Sequence, residues 1–350
     1  MEQRGVLTAT SDLSSVIAQF PPSFDLAFGY GSGVFSQSAS SSSSATPSKL
    51  PPPASELPML DLPMLDLIFA VPDLADYHSR LLSRHPEHYP LLPRLLPPSL
   101  LASLTSGAGA GMWFNPLCSL PPSPRLLKYG LISTPQLVDD LTNWTHLYAA
   151  GRLQKPVAIP SPPPSPELQS ALSSNLSSAL AAGLLTLPPP QFSSKLPSAT
   201  RTLALRDLFL SVAQLSYGGD PRMGAGAEDP DKVRKLVGSE GAMERWVGVY
   251  GGRLREMEGG GLIEWNEGGG TVSWEEGSGA ARREMLARVP GRVARATGGD
   301  ASGKAVAKAL AGIVGGSART QALKGVFTAG LARSAVYAAA KLRKGALRKK

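Results

Sequence analysis

The sequence predicts a mixed α/β (α+β) protein with an N-terminal α/β domain, a helical domain resembling a winged helix, and a basic helical C-terminal segment. Alternating apolar residues in "FDLAFGY" and "LDLIFAV" indicate two strands near the N-terminus. A helical pattern from about residue 167 to 250 is followed by "GLIEWNEGGGTVSW", which is typical of a hairpin closed by a glycine turn. Residues 301–350 contain eleven Lys or Arg and no Asp or Glu.

The length and composition allow two or three domains with real cores, since 42% of the 350 residues are apolar and 18% are charged. We predict domains at 1–160, 161–295 and 296–350. The first contains a Ser- and Pro-rich insert at 36–58 that is too polar to form a core. Proline-rich loops are predicted at 156–166 and 187–198.

The single cysteine, Cys118, excludes an internal disulfide, so no disulfide partner is expected, and a buried apolar role is the simplest one. No transmembrane span is predicted, because Lys308, Lys324 and Arg333 interrupt the longest apolar runs near the C-terminus. The net charge is +8, but residues 1–300 sum to −3. The positive excess is therefore C-terminal, and it indicates an anionic surface as partner.

The first elements in order are a short helix over 11–20, a strand over "FDLAFGY", and a glycine-serine turn. The unit "LPMLD" then occurs twice. Only the second copy, which ends at Asp66, runs directly into a strand, so we expect Asp66 to be held by a sheet and Asp61 to lie in a loop.

Residues 74–106 are predicted to be mostly helical, and "LLKYGLIS" is predicted to be a strand. One helix is expected over "TPQLVDDLTNWTHLYAAGRL", with Thr134 as its cap and Pro135 at its first position. The last 35 residues are predicted to form a basic helix.

Ser32 stands between Gly31 and Gly33 after the first strand, and Asp66 stands at the start of the next. Nucleotidyl transfer requires such a pair, because backbone amides and a hydroxyl hold phosphates while a nearby carboxylate holds Mg²⁺. An ordinary tight turn is the alternative for the glycine-serine motif alone. The joint pattern predicts a nucleotidyltransferase fold for the N-terminal domain.

Two features depart from that pattern. Thirty-four positions separate Ser32 from Asp66, but the insert accounts for most of them, and loop closure costs only about 0.6 kcal/mol per doubling of length. The position where a second carboxylate is expected, two residues after Asp66, is Ile68. Either the site works with fewer carboxylates, or it is completed by one of four others: Asp73, Asp139, Asp140 or Asp220.

Several blocks closely resemble the mitochondrial phosphatidate cytidylyltransferase family, also called the translocator assembly and maintenance family. They run in order from residue 20 to about 340: "FPPSFDLAFGYGSGVFSQ", "MLDLIFAV", "HSRLL", "HPEHY", "GAGMWFNP", "LKYGLIS", "NWTHLYAAGRLQKPV", "LSYGGDPRM", "DPDKVRKLV" and "KGVFTAG". The resemblance implies a Mg²⁺-dependent enzyme that converts CTP and phosphatidate to CDP-diacylglycerol and pyrophosphate. It also implies a peripheral location at the matrix face of the inner mitochondrial membrane, feeding cardiolipin and phosphatidylglycerol synthesis.

The resemblance assigns roles to residues. Gly31, Ser32 and Gly33 are expected to hold the β- and γ-phosphates, and Asp66 is expected to bind Mg²⁺. Cations must suppress repulsion between two anionic substrates, and the candidates are Lys128, Arg152, Lys155 and Arg222. Ser32, Asp66 and Lys155 form the expected catalytic set, with Tyr30 and Asp220 added to the nucleotide site.

Each role has a simpler alternative. Lys128 and Arg222 would then be solvated charges, and Asp220 would be a turn-forming residue rather than a metal or ribose ligand. Tyr30, Trp113 and Trp144 are candidates for stacking on cytosine, although aromatic residues beside strands are more often core. A zinc site at His78, His85 and His88 is a minor alternative, because zinc requires further ligands.

The basic tail from Leu331 has three interpretations: a helix on an anionic bilayer, a nucleic-acid patch, or a solubilising tail. Surface attachment suits a lipid substrate, and the charges are not interleaved with aromatic residues in the way that stacks bases, so no nucleic-acid partner is expected. Ahead of the first strand, the charged residues are only Glu2, Arg4 and Asp12, which is unlike an Arg-rich mitochondrial presequence. A leader upstream or another import signal is therefore expected.

Two other functions stay open. One is nucleotidyl transfer to RNA or protein, which a winged helix with a basic tail suggests. The other is a non-catalytic membrane-associated assembly factor, which the Ile68 substitution suggests.

Overall fold

A computed structural model describes residues 13–35, 64–161 except 122 and 124, 163–188, 200–221, 229 and 231–330. The predictions for Asp61, Arg222, the 36–58 insert and the tail after Gly330 lie outside these residues. The mixed helix and strand composition predicted from the sequence is confirmed. The nucleotidyltransferase fold and the three domain boundaries stay predictions.

The N-terminal part contains a four-stranded sheet. Its strands are β1 (Leu26–Tyr30), β2 (Leu65–Val71), β3 (Trp113–Cys118) and β4 (Leu127–Ser133), in the spatial order β1-β2-β4-β3. Strands β2 and β4 are parallel, and the two outer pairs are antiparallel. Strand β3 is not evident from the sequence, because "WFNPLC" contains a proline and has no apolar alternation.

Each face of this sheet is covered by a separate apolar cluster, as the side-chain alternation of strands requires. One cluster contains Leu67, Phe69 and Tyr129 and packs against helices Leu74–Arg84 and Pro98–Gly107. The other contains Phe28, Ile68 and Ile132 and continues without a break into the helices beyond residue 160.

The central helix of that larger cluster is Pro166–Leu185. Ser165 caps it by accepting a hydrogen bond from the Leu168 amide, and Pro166 occupies its first position. It packs most extensively against helices from either side of it in the chain, namely Thr134–Asn143, Leu205–Gln214 and Gly279–Ala287. Further helices are Leu91–Arg94, Ala150–Leu153, Lys232–Gly238, Ala242–Gly259, Gly291–Ala296 and Gly303–Ala329.

A second, three-stranded sheet is formed by β5 (Arg201–Ala204), β6 (Glu264–Asn266) and β7 (Thr271–Trp274), in the order β5-β7-β6. The hairpin predicted at β6 and β7 is confirmed. Strand β5 interrupts the predicted helical region, because it pairs with β7 some 70 residues later and such a partner leaves no local signal.

The single helix predicted from residue 134 to 153 is wrong. Ser133, not Thr134, is the N-cap, and the helix ends at Asn143 because Trp144 has a left-handed backbone conformation with φ of 50°. A loop follows before helix Ala150–Leu153, and Leu147 within it also has φ of 50°.

The C-terminal helix Gly303–Ala329 covers the outer strand β3. The Gln321 side chain accepts a hydrogen bond from the Ala110 amide (2.9 Å) and donates one to the Met112 carbonyl (3.2 Å). These bonds occupy backbone groups that an uncovered edge would expose. Among the described residues, no helix has both the length and the apolar character needed to span a bilayer.

Candidate active site

A row of three polar side chains lies across the end of the first sheet. Tyr30 on β1 pairs in register with Asp66 on β2, which pairs with Lys128 on β4. All three share the face that carries Phe28 and Ile68, because Tyr30 and Asp66 lie two residues, and Lys128 four residues, from a member of that cluster on the same strand. Lys128 Nζ lies 3.5 Å from Asp66 Oδ1, and both side chains are largely but not fully buried. A carboxylate and an ammonium therefore meet at a water-accessible corner of the sheet.

The predicted glycine-serine turn lies directly above this row. Residues Gly31–Gly33 form one 3₁₀ turn in which Ser32 is exposed. A Cβ atom on Gly31 would lie 3.9 Å from Asp66 Oδ2, and a Cβ on Gly33 would overlap the carbonyl oxygen of Met64. Glycine at position 33 therefore lets the turn contact the start of β2. The structure brings the turn that carries Ser32 together with Asp66.

A Gly33→Ala substitution should displace this turn, because the added methyl collides with backbone rather than with a movable side chain. We expect CTP affinity to fall about tenfold or more while the protein stays folded, since the turn is at the surface. Equilibrium binding of CTP and thermal melting measure the two effects. Gly252→Ala is the control, because nothing lies within 4 Å of a Cβ at that position. Unchanged CTP affinity in Gly33→Ala would contradict the placement of the phosphates at this turn.

Arg152 extends the site beyond Tyr30. Its guanidinium carbon lies 5.2 Å from the centre of the Tyr30 ring and 4.1 Å from that of Tyr148, and Nη1 donates to the Tyr148 carbonyl. The Tyr30 hydroxyl and Arg152 Nε are buried without a hydrogen bond of normal geometry among the described residues. Burial raises the pKa of Tyr30 and the Lys128 ammonium opposes that rise, so Tyr30 is a neutral hydrogen-bond donor. The Tyr30 hydroxyl and the Arg152 guanidinium interact with each other, and a polar ligand would use their remaining hydrogen-bonding capacity.

Lys155 lies one turn beyond Arg152 and is buried. Its ammonium donates to the Gly151 carbonyl and to Ser216 Oγ (2.6 Å). It lies 5.0 Å from the centre of the Tyr217 ring, and Lys232 Nζ lies 5.5 Å from the same ring. Burial, with the positive charges of Arg152 and Lys232, lowers the pKa of Lys155 to about 7. An anion that binds beside Lys155 would stabilise its charged form, because a nearby opposite charge counteracts the effect of burial on the pKa.

Asp220 follows the turn that carries Ser216 and Tyr217, and it is buried. Its amide donates to the Tyr217 carbonyl. Gly219 has φ of 79°, and a Cβ atom there would overlap the Ala311 carbonyl oxygen, so the turn is pressed against the C-terminal helix. This packing holds Asp220 in the segment that contacts Lys155. Its role as a metal ligand, ribose ligand or turn residue stays open.

The family model described as mitochondrial phosphatidate cytidylyltransferase matches residues 13–302 and 280–344. The chain belongs to this family. A protein of that name from Danio rerio is 36% identical over 63% of this chain and 56% of its own length. Proteins of that name from Rattus norvegicus and Schizosaccharomyces pombe are 34% and 30% identical over 64% and 67% of this chain. The matches cover only 57% and 51% of those two proteins, so this chain spans about half the length of these relatives.

Membership of the phosphatidate cytidylyltransferase family confirms the resemblance seen in the sequence blocks, and the structure narrows the search for a second carboxylate. Ile68 is fully buried in the apolar cluster two residues below Asp66, which is why that position carries no acid. Asp73 caps helix Leu74–Arg84 at the opposite end of β2, about 20 Å away at the rise of a strand. Asp139, on helix Thr134–Asn143, accepts hydrogen bonds from Asn143 and Thr145 at the C-terminal end of that helix.

Asp140 has a structural role. Its two carboxylate oxygens accept hydrogen bonds from five consecutive backbone amides at 2.7–3.1 Å, those of His146, Leu147, Tyr148, Ala149 and Ala150. These bonds fix the loop that presents Tyr148 and starts the Arg152 helix. Of the four carboxylates proposed from the sequence, Asp220 stays a candidate for a second ligand.

An Asp140→Ala substitution should destabilise the protein by at least about 3 kcal/mol, because buried amides lose a charged acceptor. Urea denaturation measures this loss. Asp139→Ala is the control and should cost less, since its hydrogen bonds are exposed. Equal losses of stability in the two variants would show that the amide contacts do not hold the loop.

The suggestion that Trp113 and Trp144 stack on cytosine is wrong. Both indoles are fully buried, and their N–H groups donate to Asn115 and Asn175. Tyr30 alone of the three aromatic candidates lies at the site. Cys118 is buried, as predicted.

The three histidines do not form one metal site. His78 bonds Tyr89 and Thr105 in the core, and burial lowers its pKa to about 3. His85, Glu87 and His88 do place ligand atoms within 4.8 Å of one another. However, His88 Nε2 bonds the Ser119 carbonyl, so it carries the proton, and Nδ1 then accepts from Tyr129. Both nitrogens of His88 are used, which does not favour zinc.

Sequence reasoning missed several residues at this site. Arg125 donates to the Gly33 carbonyl (2.6 Å), and Tyr148, Ser216, Tyr217 and Lys232 surround Arg152 and Lys155. For the last four residues, the available signal was their position inside the family-matched blocks "NWTHLYAAGRLQKPV", "LSYGGDPRM" and "DPDKVRKLV", whereas Arg125 lies outside these blocks.

Proposed function

We propose that this protein transfers a cytidylyl group from CTP to phosphatidate, producing CDP-diacylglycerol and pyrophosphate. The observation that carries the proposal is the meeting of the Gly31–Gly33 turn with Asp66 and Lys128 in a chain of this family. The reaction is the one for which the relatives are named. The side chains of Tyr30, Asp66 and Lys128 at the end of the sheet have chemistry suited to it.

The residues fit Mg²⁺ bound together with a nucleotide. Magnesium is commonly held by one or two carboxylates with the remaining positions filled by substrate phosphates and water. Asp66 supplies one partly exposed carboxylate beside a turn of backbone amides, and Asp220 is the proposed second ligand. When bound, the ion would neutralise charge on the α-phosphate.

The protein's own groups then have defined tasks. The Gly31–Gly33 turn and Ser32 hold the β- and γ-phosphates, and Lys128 adds positive charge to the triphosphate. Tyr30 and Arg152 bring a neutral hydroxyl and a guanidinium to the nucleotide side. Arg222, outside the described residues, stays a candidate cation.

The second anion is the phosphate of phosphatidate, and we place it at Lys155 and Lys232. These two ammonium groups flank the Tyr217 ring, and Lys155 contacts Ser216. Arg152, which approaches both Tyr30 and Lys155, lies between this pair and the triphosphate side. The phosphatidate oxygen is already anionic, so it needs positioning and charge neutralisation rather than a general base.

Two further features follow from the same proposal. The relatives are named as mitochondrial proteins, and we infer for this protein the matrix side of the inner mitochondrial membrane, where its product would feed cardiolipin and phosphatidylglycerol synthesis. Attachment would be peripheral, with the basic residues 331–350 on anionic lipid.

The test is incubation with labelled CTP, Mg²⁺ and phosphatidate vesicles, followed by solvent extraction. A lipid-soluble cytidine product with release of pyrophosphate is the expected result. Label transfer to RNA or protein instead would favour the other nucleotidyltransferase function. Nucleotide binding without any transfer would favour the non-catalytic assembly factor that Ile68 suggests.

A further inference from the structure

Two exposed apolar segments lie next to each other at the β3 side of the protein. The first is the turn Leu91–Leu95, in which Leu91, Leu92 and Leu95 are 67–81% exposed. The second is the end of the C-terminal helix, where Leu323, Val326 and Phe327 are 42–77% exposed. Such bulky side chains are usually covered, and a cluster of them marks a contact surface.

The two segments are continuous in space. A Cβ atom on Gly330 would lie 3.1 Å from Pro90 Cβ, so the helix end touches the residue that precedes Leu91. The ring centres of Phe327 and Tyr89 lie 6.2 and 6.1 Å from the ring centre of the same residue, Trp113. We call the six exposed side chains the leucine patch: Leu91, Leu92, Leu95, Leu323, Val326 and Phe327.

The helix is oriented so that its apolar stripe points outward. Gln321 and Lys324 bond the backbone around β3, and Thr328 is buried. Leu323, Val326 and Phe327 are spaced i, i+3, i+4 and form the adjoining exposed stripe. The stripe is therefore held rigidly by polar anchors on the protein side.

The charged residues in the two stretches of sequence that form the leucine patch are basic. Residues 88–138 and 301–350, which supply both segments, contain no Asp or Glu. Arg94 lies within the first segment, and the chain continues from Gly330 into twenty residues with seven Lys or Arg. An apolar surface whose two segments carry basic residues and no acids complements an anionic bilayer, whereas a protein partner would not require the absence of acids along both segments.

We propose that the leucine patch is the part of the folded protein that inserts into an anionic lipid bilayer. The choice of a bilayer rests on the proposed lipid substrate. The patch sets the orientation of the protein on the membrane, because it is anchored to the sheet that carries Asp66 and Lys128.

The test uses the full chain with Leu92→Glu and Leu323→Glu, singly and together. The matched control is Ile159→Glu, which places the same charge on a 43% exposed residue beside β1, at the opposite edge of the sheet. Binding is measured by sedimentation with mixed phosphatidylcholine–phosphatidylglycerol vesicles without CTP. Each patch variant should bind about tenfold more weakly, and the control should bind like the unaltered protein. Thermal melting checks that all the variants are folded.

A double variant that binds vesicles like the unaltered protein would overturn the proposal. The proposal would also be overturned if the unaltered protein is a dimer and the double variant is a monomer, or if residues 331–350 become sensitive to trypsin in the double variant. Either result would show that a protein segment covers the patch. Cytidylyl transfer to dispersed short-chain phosphatidate is measured as well, so that failure of this inference can be distinguished from failure of the proposed function. If vesicle binding depends on the patch but no cytidylyl transfer occurs, the inference is supported and the proposed function is rejected. If transfer is normal but vesicle binding does not depend on the patch, the function is supported and the inference is rejected.

Discussion

Replacement of Asp66 by asparagine should lower cytidylyl transfer about a thousandfold at saturating CTP and phosphatidate. The amide keeps the size of the side chain but removes the charge proposed to hold the metal, which is worth several kcal/mol in the transition state. The protein should stay folded, because Asp66 lies at a partly exposed corner and makes one ion pair, with Lys128. Steady-state rates and thermal melting measure these two properties.

Asp76→Asn is the matched control for this prediction. Asp76 is an exposed carboxylate whose ion pair with Arg80 lies on helix Leu74–Arg84, which covers the other face of the sheet. Its loss should leave transfer unchanged. Near-normal turnover of Asp66→Asn at saturating Mg²⁺ would reject Asp66 as the metal ligand.

The second large effect concerns Lys155 and pH. Its pKa of about 7 means that the free protein carries this charge below neutrality and loses it as the pH rises. Since an anionic phosphate binds the charged form, kcat/KM for phosphatidate should fall as the pH increases through about 7. Lys155→Met should lower kcat/KM about a hundredfold and abolish this descending limb, because the titrating group is gone.

Lys235→Met serves as the control, since the Lys235 side chain is exposed and pairs with Asp229, ahead of the helix that carries Lys235. It should retain both the rate and the pH profile. Because phosphatidate also titrates, the informative measurement is the difference between the profiles of the unaltered protein and Lys155→Met on the same substrate. Parallel profiles would show that Lys155 does not contact the phosphate.

The polar corner formed by the turn, Asp66 and its strand could be predicted from the sequence. Alternation of apolar residues identified β1 and β2, and the glycines located the turn between them. In contrast, Lys128 was a candidate only through the family resemblance. Its contact with Asp66 depends on the parallel pairing of β2 and β4, which local periodicity does not specify.

The choice among the carboxylates needed the tertiary structure. From the chain alone, Asp73, Asp139, Asp140 and Asp220 were equivalent candidates. Backbone amides that fold around Asp140 make it a loop anchor, and the same loop splits the predicted helix at Trp144. Here the need of buried polar groups for hydrogen-bond partners overrides the helical periodicity of the sequence.

The sequence by itself determined the two N-terminal strands, the glycine-serine turn, the β6–β7 hairpin and the position of the charge excess, because each follows from the spacing of neighbouring residues. Only the tertiary structure decided that Lys155 shares a site with Ser216 and Lys232, and that the leucine patch unites residues more than 200 positions apart. Those groupings depend on packing between distant segments, and their energies arise only after the chain has folded.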